Sequence, residues 1–102
     1  MPKFALIYRG GSRPEDGAAH MEKWRAWSTG LGDANVYPGM PFTRSMTVSA
    51  TGETEGSGDV PMTGVTVIEV DSMETAMTHA KACPHLDLGG EIVVAEGMDM
   101  PM

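Results

Sequence analysis

A chain of 102 residues, 41% of them hydrophobic, has the size of one domain and is too apolar for wholesale disorder. Its formal charge of −7, from 14 acidic against 7 basic residues, argues against a nucleic-acid partner, which basic patches would attract. No apolar run approaches the roughly 20 residues of a membrane helix, so no membrane partner is expected.

The N-terminus, MPKFALIYRG, has neither a long apolar run nor a small-residue cleavage site, so no signal peptide is expected. One cysteine excludes an internal disulfide, and a cytoplasmic location is the expectation. Residues 3–8, KFALIY, form an apolar and aromatic run stopped by Gly10-Gly11, the pattern of a buried strand. Ser12 or Pro14 then starts a helix that runs to about Leu31 and ends in a glycine-rich cap at residues 30–32. At about 100° per residue, Trp24, Trp27 and Leu31 fall within about 40° of His20. That places His20 in the apolar stripe, facing the sheet.

Residues 36–39 read as a short extended piece with a turn at Pro38-Gly39, and residues 43–49 as a strand with one wet face. The glycine-rich, acidic stretch 51–60 reads as a hairpin loop, and residues 64–70, GVTVIEV, are the clearest strand in the chain. Asp71 and Glu74 have the spacing of a capping box, and Met73, Ala76, Met77 and Ala80 make the apolar stripe of a second helix that Pro84 ends. Residues 91–96 are a last strand. Met98, Met100 and Met102 alternate along a tail suited to facing a partner chain.

The order β-α-β-β-α-β in a single domain, residues 1–102, predicts an α+β, ferredoxin-like fold: an antiparallel sheet with both helices on one face. The uncovered face predicts a homodimer.

Three groups carry candidate chemistry. His20 is either a core histidine satisfied by a neighbour or a general base. Cys83 and His85 flank the proline that ends the second helix, where the turn comes within reach of the first. A Cys–His pair can make a nucleophile. Against that, Cys83 lies at the negative end of the helix dipole and small buried cysteines are common there. His79 falls off the apolar stripe and reads as a solvated residue. Zinc binding by His20, Cys83 and His85 lacks a known ligand spacing, and the double glycines match no phosphate-loop pattern, so neither metal nor cofactor is expected.

The stretches KFALIY, HMEKWRAW, GVTVIEVDSMETA and AKACPHLDLGGEIVVAE together resemble the YCII-related family over nearly the whole chain. The resemblance implies a dimeric α/β-barrel of two ferredoxin-like subunits. It also implies an active-site pair, in which a first-helix histidine faces an aspartate just before the proline that ends the second helix. His20 matches the histidine, but Cys83 stands where the aspartate would be and His85 where an aromatic residue is common. A D-G-P-F motif found in a related group is absent, the stretch reading GDVPM at 58–62.

Two functions follow. One is a lyase- or isomerase-type enzyme on a small organic molecule, with His20, His85 and Cys83 as its catalytic set and Trp24, Trp27 and Tyr8 as its pocket. The other is a non-catalytic dimer that binds a metabolite or a protein.

Overall fold

The computed structural model describes residues 1–99, so Met100 and Met102 lie outside the described residues. The elements are β1 (Lys3–Arg9), α1 (Gly17–Leu31), β2 (Asn35–Pro41), β3 (Met46–Ser49), β4 (Gly52–Glu55), β5 (Met62–Glu69), α2 (Met73–Lys81) and β6 (Glu91–Glu96). Four strands form one antiparallel sheet in the order β2-β5-β1-β6, and β3 and β4 pair separately. With two helices packed on it, this is an α+β architecture consistent with the ferredoxin-like fold. Among the described residues no helix is long and apolar enough to cross a membrane.

Alternation fixes which side of each strand is dry. Phe4, Leu6 and Tyr8 of β1 and Gly64, Thr66 and Ile68 of β5 are buried, while the residues between them are half-exposed. The buried set packs with Leu31 of α1, Ala76 and Ala80 of α2, and Cys83. Phe4 and Ile68 are 0% exposed, and burial of each stabilises the fold by about 2–3 kcal/mol. Ile92 and Val94 of β6 pack against the same core.

The first helix starts later than its sequence suggests. Asp16 caps it, its carboxylate accepting the Ala19 N–H at 3.0 Å, so residues 12–16 remain a loop. A side-chain cap of this kind is worth about 1 kcal/mol, which lets Asp16 outcompete Ser12 and Pro14 as the starting point. Likewise Ser72, rather than Asp71, caps α2 by accepting the Thr75 N–H, and Asp71 accepts the Thr75 hydroxyl instead.

The larger correction concerns the second strand. Residues 46–49, expected in the sheet, pair only with β4 in an exposed hairpin. The sheet position belongs to β2, which includes Pro38-Gly39 and pairs with β5 through two register breaks. Gly39 has φ +102, and a Cβ there would collide with the Val65 carbonyl oxygen, so only glycine lets the strand approach β5 this closely.

Candidate functional site

A cavity of about 380 Å³ lies beside the β2–β5 edge and under α1. Its walls are Tyr8, Met21, Trp24, residues 38–41 of β2, residues 63–66 of β5, and His85. None of these residues is charged. The cavity's size is that of a small organic ligand site, and its walls are largely apolar as such sites are.

Tyr8 stands at the centre of the polar groups. Its hydroxyl donates to Thr66 Oγ1 at 2.7 Å, and the Thr66 hydroxyl donates onward to the Pro38 carbonyl at 3.1 Å. Both hydroxyl hydrogens are therefore spent within the protein. Burial pushes the Tyr8 phenol well above its ordinary range, against the pull of the Thr66 hydroxyl beside it. Trp24 packs edge-on against Tyr8 with ring centroids 5.3 Å apart, and edge-on against Trp27 at 5.5 Å.

His85 enters from the turn after α2. Pro84 does not itself end the helix, which stops at Lys81, but opens a short 3₁₀ turn, Pro84–Leu88. His85 is 6% exposed, and its Nε2 lies 3.0 Å from the Arg9 carbonyl oxygen. A carbonyl can only accept, so Nε2 carries the hydrogen of that bond. The imidazole rests on Gly90, where any Cβ would run into the ring. The double glycine after the turn is thus the seat of the histidine. Ser12 also bonds to this turn through the Leu88 carbonyl, and Lys23 of α1 pairs with Asp87 at 3.4 Å.

The structure brings Tyr8, Trp24 and His85 together and leaves three other candidates outside the cavity walls. His20, in the first turn of α1, borders a separate polar cleft with Ser12, Arg13, Asp16, Lys23 and Asp87. Its Nε2 accepts the Trp24 indole N–H at 2.8 Å, a contact between residues four apart on the helix. Trp27 is turned toward α2, its indole N–H donating to the His79 carbonyl at 2.9 Å. His79 is half-buried, not fully solvated as its sequence position suggests.

Cys83 is 2% exposed and lies against Tyr8. Burial pushes its thiol up to about 11, although the His85 backbone N–H works in the opposite direction. Burial and the raised thiol both work against the thiolate, the form in which a cysteine attacks. Neither Cys83 nor His85 is a hydrogen-bond partner of His20. Among the described residues no three His, Cys, Asp or Glu side chains are grouped to hold a metal ion.

Sequence reasoning missed Thr66, Met21 and the β2 wall. The signal for Thr66 was present: alternation through residues 64, 66, 68 and 70 places a hydroxyl on the dry face, where it must find a partner. The comparisons add no relative: no family model matches the chain, and no curated protein is significantly similar to it.

Proposed function

We propose that this chain is a YCII-like homodimer of the dimeric α/β-barrel type that binds a small organic molecule in the cavity between α1, β2 and β5. The uncharged cavity of about 380 Å³, walled by Tyr8, Trp24 and Met21, carries this reading. The YCII assignment rests on the four matching sequence stretches and on the β2-β5-β1-β6 strand order.

A lyase- or isomerase-type reaction with His20 as base is the alternative. It needs Trp24 to release Nε2 of His20 first, because that lone pair already accepts the indole N–H. Binding is therefore the better-supported function.

The test is cavity filling. Met21 is 52% exposed on α1 while lining the cavity, so Met21→Trp adds bulk with little cost to the core. Toluene, followed through the fluorescence of Trp24 and Trp27 and by calorimetry, is expected to bind the native chain. Met21→Trp, with its thermal midpoint unchanged, is expected to bind it at least about tenfold more weakly. Unaltered binding in the variant would place the ligand elsewhere.

A further inference from the structure

The side chains around the cavity divide unequally between donors and acceptors. The hydroxyl hydrogens of Tyr8 and Thr66 are committed to Thr66 and Pro38, and the Trp24 N–H is committed to His20. Thr63 also lines the cavity, at the point where the β1–β5 register breaks, and its hydroxyl has no hydrogen-bond partner among the described residues. Apart from Thr63, no lining side chain has a spare donor to offer in this arrangement.

Among the lining side chains, the His85 ring has a spare acceptor in a fixed place. With Nε2 carrying the hydrogen bonded to Arg9, the neutral His85 ring presents its lone pair at Nδ1. Nδ1 has no hydrogen-bond partner among the described residues, and it is not among the fully enclosed unsatisfied atoms, of which Asn35 Oδ1 is the one found there. His85 is nine-tenths buried, and the space it borders is this cavity. A polar atom so placed goes unsatisfied whenever an apolar molecule displaces water from it.

We propose that the cavity selects an uncharged, ring-sized molecule bearing one hydroxyl, whose hydrogen is accepted by Nδ1 of His85. This deepens, and rests on, the reading of the cavity as a ligand site. An ion is disfavoured because no lining residue carries a balancing charge. A ring suits the edge-packed faces of Tyr8 and Trp24. An ether or ketone of the same size would bring an acceptor to an acceptor.

The probes are phenol, anisole and toluene, each titrated at one pH, about 8, against the native chain. Phenol is expected to bind about five- to tenfold tighter than anisole or toluene, the gain of one buried hydrogen bond. His85→Phe, which keeps a ring on Gly90, is expected to erase that preference while still binding toluene. A second reading needs no variant: the ¹⁵N resonance of His85 Nδ1 should shift on adding phenol and stay unmoved by toluene. If all three probes bind equally and Nδ1 does not respond, the acceptor role is overturned and the cavity reading stands. If none binds, the cavity reading itself fails and the proposal goes with it.

Discussion

At the scale of single residues, the packing of His85 on Gly90 is the most exacting contact in the turn. Gly90 does not have a positive φ, so a substitution there meets steric resistance rather than backbone strain. Gly90→Ala is expected to cost about 2 kcal/mol or more by overpacking, measured by urea unfolding. In a His85→Ala background the same change should cost less than about 0.5 kcal/mol, and additivity of the two would deny the contact. Cys83 supplies a second prediction, in pH. Its thiol is raised from 9.0 to about 11 in the fold by burial, so it resists ionising there while the unfolded thiol ionises freely. The stability linked to it is fully present below pH about 9 and is lost as pH rises toward and through about 11. Tyr8, shifted the same way by burial, adds to the loss at the upper end. Cys83→Ala should flatten this decline by about 2 kcal/mol between pH about 8 and 11, read from unfolding midpoints. An unchanged slope would mean that the thiol titrates freely. What the sequence could say of these residues was their place. Which nitrogen of His85 is free depends on the Arg9 carbonyl, 76 positions away, and no local pattern encodes such a bond.

Among the elements, those with strong periodicity were legible and the aperiodic ones were not. β1, β5, α2 and β6 match the apolar alternation and helical stripe of their sequences to within about two residues, the usual uncertainty of element ends. β2 has no such pattern: Pro38 can donate no ladder bond, Gly39 takes a positive φ, and the register breaks on either side of Tyr37. Residues 46–49 carry the β-branched content of a strand but find their partner locally, in β4. The capping residues, Asp16 and Ser72, were each misplaced because several Ser and Asp side chains compete within a few positions. The β3–β4 hairpin itself packs no buried residue and is tied mainly by its own ladder and by Arg44 bonding to Glu55 at 3.1 Å. An isolated two-stranded hairpin is marginal in water, and an exposed ion pair adds little. Replacing residues 46–55 by a short glycine-containing turn should therefore change unfolding free energy by less than about 1 kcal/mol. A larger loss in guanidinium titration would reveal support for the sheet from this arm.

The whole molecule is flat, with extents of 43 × 41 × 18 Å and a radius of gyration of 14.6 Å, against about 13 Å for a compact chain of this length. Helices cover one face of the sheet, and the other is apolar across all four strands. Tyr37, Val67, Ala5 and Ala95 stand side by side along one cross-strand row, and Val65, Ile7 and Val93 along the next. The rows are bordered by the Lys3–Glu69 pair at one end and Arg9–Glu91 at the other. A stripe of valine, isoleucine and tyrosine rimmed by ion pairs has the make-up of an interface core and its rim. Such a surface gives the proposed homodimer its contact. A second sheet laid on it would bury both rows and close a barrel of two subunits, with each cavity kept on the helix side of its own chain. Sedimentation at micromolar concentration is expected to give twice the chain mass. Val67 is half-exposed in the middle of the first row, so Val67→Asp leaves the helix-side core intact while placing a carboxylate at the centre of the contact. Desolvating that unpaired charge costs several kcal/mol per subunit. Because a two-fold dimer would bring the same position from both chains into one interface, the penalty would enter twice. The variant should sediment as a folded monomer with the circular dichroism of the native chain. A native protein that sediments as a monomer, or a Val67→Asp dimer, would move the partner away from this face.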